Sequence, residues 1–290
     1  GRELQPDSRS NAELLAEALQ VANQADVIVA TLGEASEMSG ESSSRTNIEI
    51  PQVQKDLLAA LLKTGKPVVL VLFTGRPLAL TWEQKNVPAI LNVWFGGSEA
   101  GDAIADVLFG DVNPSGKLTT SFPQNVGQVP IYYAHKNTGR PLGEGKWFEK
   151  FRSNYLDVSN DPLYPFGYGL SYTTFSYSDV KLSSASLKGN QTLTASVTVT
   201  NTGTRDGKET VQLYIRDLVG SITRPVKELK GFQKISLKAG ESRTVTFSIT
   251  PNDLKFYNGD LKYDWEPGEF SIMIGASSRD VKSANVNWVK

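Results

Sequence analysis

The sequence predicts two domains of different fold class: an α/β parallel-sheet sandwich domain that is incomplete at its N-terminus, and an all-β antiparallel sandwich after it. Up to about residue 125, short apolar strands alternate with helical patterns, as in a parallel sheet that helices cover on both faces. From about residue 180 the apolar residues recur with period two, which is typical of antiparallel sandwiches. Residues 126–179 are rich in turn formers and are predicted to be a connector that wraps the domains.

The α/β domain, residues 1–125, has three predicted strands that are apolar throughout: 26–32, 67–73 and 89–95. The spacing of apolar residues predicts four helices, over 11–24, 53–62, 78–85 and 99–109. Pro51 suits a first helical position, and Gly65 suits a C-terminal stop. Because three strands make a thin sheet and the chain enters it at a helix, we expect earlier strands of this domain to be missing. A natural three-stranded sheet is the alternative.

The second domain, residues 180–290, alternates apolar and polar residues over at least five segments: 193–200, 210–216, 232–237, 243–249 and 270–274. Turn signals such as Asn201-Thr202-Gly203 and Lys238-Ala239-Gly240 separate them. About seven short strands at this spacing indicate a sandwich of fibronectin type III or immunoglobulin type. No chemistry is evident in this domain.

Composition excludes several classes of function. Lys and Arg total 30 against 31 Asp and Glu, so the charge favours a neutral substrate or a protein partner over nucleic acid or an anionic membrane. There is no cysteine and one histidine, His135, which argues against a thiolate nucleophile and a metal site. No cofactor motif and no membrane-length apolar run is present. Since residue 1 is Gly and no signal peptide is recognisable, we expect a processed product or a fragment.

Four motifs, in order along nearly the whole chain, carry a resemblance to a known family. They are residues 66–77 (KPVVLVLFTGRP), 94–99 (WFGGSE), 110–118 (GDVNPSGKL, followed by SFP at 121–123) and 163–175 (LYPFGYGLSYTTF). The chain resembles the C-terminal portion of glycoside hydrolase family 3, of the periplasmic β-glucosidase type. The resemblance implies an α/β domain joined to a fibronectin type III-like domain through the 163–175 motif.

In that family a loop of the α/β domain delivers the acid/base carboxylate, and the matching loop here is residues 33–45. It follows a buried parallel strand, where open α/β sheets place their ligand sites. The resemblance assigns the acid/base role to Glu41, with Glu34 as the rival and Glu37 as a solvated side chain. Arg45 is a candidate to contact a sugar hydroxyl or to form a salt bridge. His135 is a candidate substrate contact or a hydrogen-bonded loop residue, and Trp94 is expected to pack at a strand end.

The resemblance further implies a retaining, exo-acting hydrolase of terminal non-reducing β-D-glucosyl residues, active on β-glucosides or oligosaccharides. Such an enzyme needs two carboxylates, and the family's nucleophile lies on an N-terminal barrel with no counterpart here. We therefore expect an N-terminal barrel domain or chain as partner, negligible activity of this chain alone, and a periplasmic or secreted location. The alternatives are a non-catalytic carbohydrate-binding or structural module and a β-xylosidase of the same family. A homo-oligomer is left open.

Overall fold

The structure is a computed structural model that describes residues 7–142 and 146–290. The chain forms two compact units. The first comprises the chain up to Gly101 together with Gln124–Gly127, and the second comprises Asp102–Pro123 and Gln128–Lys290. The segment predicted as a connector therefore contributes residues to both units. No helix in the described residues has the length and apolar character needed to cross a membrane.

The first unit contains a parallel sheet of three strands in the order β1-β2-β3. Its central strand is buried at Leu70, Val71 and Leu72, and helix α2 packs against β1 and α1. The elements are α1 Asn11–Gln24, β1 Ile28–Gly33, a 3₁₀ turn at Ser36–Met38, α2 Gln52–Leu62, β2 Val68–Phe73, α3 Thr81–Asn86, β3 Ala89–Asn92 and α4 Ala100–Phe109, which continues into the second unit. The predicted alternation of strands and helices is confirmed.

Several local predictions for the first unit were wrong. Pro51 is the N-cap of α2 rather than its first helical residue. Residues 78–80 are buried and precede α3, because the Ala79 N–H donates to the carbonyl of Ile48 (3.0 Å) instead of closing a helical turn. Strand β3 ends at Asn92, and Trp94, with φ +50°, turns the chain away from the strand path.

The edge strand β1 also differs from the prediction that helices cover both faces of the sheet. Its residues alternate between buried Ile28 and Ala30 and exposed Val29 and Thr31. Helix α2 packs against β1, and the pleat of the strand directs alternate side chains to the opposite face. In the part of the chain that the structure describes, β1 therefore follows a half-buried pattern, while its sequence is that of a fully buried strand.

The second unit contains a β-sandwich, as predicted. One sheet has the order β10-β7-β4 with β5 also paired to β7, and the other has the order β6-β14-β13-β8-β9. Large side chains such as Trp288, Phe270 and Leu193 fill the core between them. The strands are β4 Phe175–Tyr177, β5 Lys181–Leu182, β6 Ser186–Lys188, β7 Leu193–Asn201, β8 Gly207–Asp217, β9 Glu228–Leu237, β10 Ser242–Ile249, β11 Phe256–Tyr257, β12 Tyr263–Asp264, β13 Gly268–Gly275 and β14 Val281–Val289, with a short helix α5 at Pro251–Leu254.

The glycines of the 163–175 motif are required by close packing inside the second unit. Gly167 has φ +80°, and a Cβ there would lie 2.0 Å from Gln212 Oε1. The Gln212 amide in turn donates to the carbonyls of Gly167 (3.1 Å) and Ala276 (2.7 Å). A Cβ on Gly169 would lie 2.2 Å from the carbonyl oxygen of Gly116, so the two family-like motifs touch backbone to backbone. In this unit the two motifs pack segments without regular secondary structure against the sandwich.

Candidate active-site loop

The loop that follows β1 begins tightly against the end of β2. Gly33 has φ +141°, and a Cβ there would lie 1.8 Å from the carbonyl oxygen of Phe73, so only glycine fits. The Gln54 amide accepts from the Gly33 N–H (2.8 Å) and donates to the Gly33 carbonyl (2.9 Å). The Glu34 N–H then donates to the Phe73 carbonyl (2.8 Å). These contacts fix the direction in which the chain leaves the sheet.

Glu34 is the buried anchor of this loop. Its side chain is fully buried and forms ion pairs with Arg45 (2.8 Å) and Arg76 (2.9 Å). Its other oxygen accepts from Thr74 Oγ1 (2.8 Å) and from the Gly75 N–H (3.2 Å). Charge-assisted bonds of this kind are stronger than neutral ones, and together they satisfy a carboxylate that water does not reach.

The environment of Glu34 favours its charged form. Burial alone would raise the pKa of Glu34, because it penalises a charge removed from water. The hydrogen bonds from Arg45 and the other donors, together with the Arg76 charge, outweigh burial and hold the pKa of Glu34 below its ordinary value. A general acid near neutral pH needs the opposite shift, so this site is suited to holding a carboxylate in place.

The two arginines also shape the rest of the loop. Arg76 donates to the carbonyls of Met38 and Ser43 (2.8 Å to the latter). Arg45 donates to the carbonyl of Glu49 (2.9 Å). Each guanidinium therefore connects the Glu34 carboxylate to backbone further along the loop, which the planar fork of Arg makes geometrically favourable.

Glu41 lies at an exposed turn of the same loop. The turn is closed by the Ser43 N–H, which donates to the Gly40 carbonyl (3.3 Å). Ser42 has φ +63°, a left-handed conformation that non-glycine residues rarely adopt. Glu41 is exposed, and within residues 7–142 and 146–290 its carboxylate has no hydrogen bond or ion pair. The loop thus holds one carboxylate internally and presents another.

A cavity of about 410 Å³ lies beside this turn, within the size range of ligand pockets of about 300–1,000 Å³. It opens among the loop, the end of β2 and the residues after β3. Its lining residues are Ser39, Gly40, Ser42, Ser43, Ser44, Gly75, Arg76 and Phe95. Hydroxyls, an arginine and one aromatic ring suit a polar ligand that has an apolar face.

The remaining residues singled out from the sequence do not line this cavity. Glu37 is exposed on the 3₁₀ turn. Trp94 is partly buried at the end of β3, in agreement with packing at a strand end. His135 is exposed and belongs to the second unit, where its carbonyl accepts from the Val226 N–H (2.9 Å). Its suggested contact with substrate stays a prediction. Among the described residues, no group of three or more His, Asp or Glu side chains is arranged to hold a metal ion.

Thr74, Arg76 and Phe95 were not singled out from the sequence. Thr74 and Arg76 follow β2 and lie about forty positions from the carboxylate they hold. Phe95 follows β3. Parallel strands in one sheet end at the same edge. The positions of these residues just after β2 and β3 could therefore have identified them as neighbours of the loop after β1.

Comparison with known proteins agrees with this architecture. Residues 6–172 match the glycosyl hydrolase family 3 C-terminal domain, and residues 209–278 match the fibronectin type III-like domain. A periplasmic β-glucosidase of Salmonella typhimurium is 57% identical over 96% of this chain and 36% of its own length. A β-xylosidase of Formosa agariphila is 47% identical over 93% of this chain and 36% of its own length.

A solved structure matches nearly the whole length of this chain. The crystal structure of a β-glucosidase from Listeria innocua in complex with isofagomine superimposes with a TM-score of 0.92 at 42% identity. The match covers 99% of this chain and 40% of that one. The chain thus spans between 36% and 40% of the length of these relatives.

Proposed function

This chain belongs to glycoside hydrolase family 3, and we propose that it is the C-terminal part of a retaining, exo-acting β-glucosidase that removes terminal non-reducing β-D-glucosyl residues. The observation that carries the proposal is the 57% identity to a β-glucosidase over nearly the whole chain. The loop after β1 supports it, because that loop presents Glu41 beside a ligand-sized cavity. By the name of that relative, we propose a periplasmic or secreted location.

Glu41 is the acid/base in this proposal. In the first step it gives its proton to the glycosidic oxygen as the bond to the sugar breaks, and in the second it takes a proton from the attacking water. Both steps require a carboxyl group that reaches substrate. Glu41 is exposed on its turn, while Glu34 is buried and ion-paired with two arginines. Its second oxygen accepts hydrogen bonds from Thr74 and Gly75. We therefore assign Glu34 and Arg45 to anchoring the loop.

The nucleophile comes from a partner. A retaining mechanism places a second carboxylate about 5–5.5 Å from the acid/base, on the opposite side of the bond that breaks. No pair of this kind was recognised in the sequence, and the relatives are more than twice as long as this chain. We propose an N-terminal barrel, as a domain or a separate chain, that supplies the nucleophile, encloses the terminal sugar and excludes water from Glu41.

The first experiment compares this chain with the complete enzyme, using 4-nitrophenyl β-glucoside. We expect hydrolysis by the complete enzyme and none above background by the chain of 290 residues. Substantial turnover by the isolated chain would show that it holds both carboxylates, which contradicts the proposed division of the site.

The second experiment tests Glu41 in the complete enzyme. Glu41→Ala should lower kcat/KM for cellobiose by about 10²–10⁴-fold, the usual contribution of general acid catalysis. Azide attacks without a general base, so it should restore turnover of a substrate with an activated leaving group and yield β-glucosyl azide. Glu37 is an exposed carboxylate of the same loop, so Glu37→Ala is the matched control. It should leave kcat/KM for cellobiose and the turnover of the activated substrate unchanged. Azide rescue at Glu34→Ala instead of Glu41→Ala would move the role to Glu34.

A β-xylosidase is the second candidate, because a relative of that name is 47% identical to this chain. The two sugars differ by one hydroxymethyl group, and the proposed barrel would contact it. Comparing kcat/KM for the 4-nitrophenyl glucoside and xyloside in the complete enzyme distinguishes them. A clear preference for the xyloside would replace the glucosidase assignment while leaving the role of Glu41 intact.

A further inference from the structure

Phe95 is the one large apolar side chain among the residues lining the cavity beside the Glu41 turn. It is 67% exposed, although its ring would gain favourable free energy from burial. The other lining residues are serines, glycines and an arginine. An exposed aromatic ring in an otherwise polar cavity is a feature of binding sites, since packing within a fold normally buries such a ring.

The backbone holds this ring beside the loop. Trp94, with φ +50°, redirects the chain after β3 and so sets the position of Phe95. The ring lies on the backbone of Gly75, where a Cβ would come within 2.7 Å of it and within 2.0 Å of Ser39 Oγ. The N–H of Gly75 is itself bonded to Glu34 (3.2 Å). Phe95 therefore rests on the same strand end that anchors the loop.

We propose that Phe95 binds the leaving group of the substrate, either a β-linked sugar or an aryl group, by stacking against its apolar face. The inference rests on the proposed function. There the barrel encloses the terminal sugar, and the acid/base contacts the oxygen that joins this sugar to the leaving group. The leaving group extends from that oxygen away from the barrel. Phe95 shares its cavity with the Glu41 turn and therefore lies on the leaving-group side of the oxygen. Pyranose and aryl rings both present apolar faces that suit an aromatic partner.

The test uses three substrates of the complete enzyme that share a terminal glucose: β-glucosyl fluoride, 4-nitrophenyl β-glucoside and cellobiose. The fluoride offers no ring to stack on. Phe95→Leu should lower kcat/KM by about tenfold for cellobiose and the aryl glucoside, as expected when an aromatic contact is lost. The value for the fluoride should stay within about twofold, and Phe95→Tyr should retain all three activities.

A matched control is Phe232→Leu, which changes an equally exposed phenylalanine (66%) on β9 of the second unit and should alter none of the three. Equal losses of kcat/KM on all three substrates for Phe95→Leu, with or without a lower Tm, would assign the ring to supporting the site or contacting the barrel and would overturn the leaving-group role. Unchanged activity on cellobiose would overturn it as well. An unaltered complete enzyme that hydrolyses none of the three would overturn the proposed function together with this inference.

Discussion

Two glutamates of the loop after β1 lie in opposite environments. At the start of the loop Glu34 is buried, paired with two arginines and held charged. Seven residues later Glu41 is exposed on a turn that contains a left-handed serine. The contrast shows that its ion pairs and hydrogen bonds fix the Glu34 carboxylate in place, while Glu41, the proposed acid/base, is left accessible. The contacts of Glu34 and its arginines hold the loop on both sides of the Glu41 turn and so make the position of that turn reproducible.

The largest difference between the two glutamates should appear in stability. Glu34→Ala leaves the guanidinium groups of Arg45 and Arg76 without their shared partner. Breaking a buried ion pair costs about 3–5 kcal/mol, and because both arginines are about one-fifth exposed we expect about 2–3 kcal/mol here. Glu41→Ala should change the free energy of unfolding by less than about 0.5 kcal/mol. Urea unfolding of each variant measures both changes in the free energy of unfolding. Hydrogen exchange of peptides from β1 and β2 shows which part of the signal comes from the first unit.

Equal losses of stability in Glu34→Ala and Glu41→Ala would contradict the contrast between an anchored and an exposed glutamate. A large loss in Glu41→Ala would mean that the turn is packed rather than presented. An unchanged Glu34→Ala variant would mean that the arginines hold the loop without the carboxylate.

The second prediction concerns acid, and it again separates the two glutamates. The pKa of Glu34 is lowered in the folded state, so its stabilising contribution is complete above its ordinary value of 4.5 and is lost as the pH falls through the folded pKa. The stability difference between the unaltered chain and Glu34→Gln should therefore be constant near neutral pH and should shrink below about pH 4.5. Urea unfolding at a series of pH values measures it. A difference that grows on acidification would contradict the sign of this shift.

Sequence patterns predicted the elements that depend on local chemistry. Helix α1 runs over the predicted residues, and the Ser10–Glu13 capping box fixes its start. Gly65 takes the positive φ expected of a helix stop. What could not be predicted depends on contacts distant in sequence, because the pairing of Glu34 with Arg76 exists only once β1 and β2 are in register. Strand β14 was missed because lysine, serine and asparagine separate its few apolar residues.

The smallest expected effect tests the exposed turn of the loop. Ser42, at φ +63°, is strained by about 1 kcal/mol, and Ser42→Gly removes that strain while increasing the freedom of the unfolded chain. The net result should be a small stabilisation of about 0.5 kcal/mol. Ser44→Gly, at a position without positive φ, should destabilise by a similar amount, because only the unfolded chain gains freedom.

In the complete enzyme Ser42→Gly should lower turnover of cellobiose by less than about tenfold, since a relaxed turn presents Glu41 less uniformly. Higher stability with undiminished turnover would show that the left-handed serine has no part in presenting Glu41, the proposed acid/base.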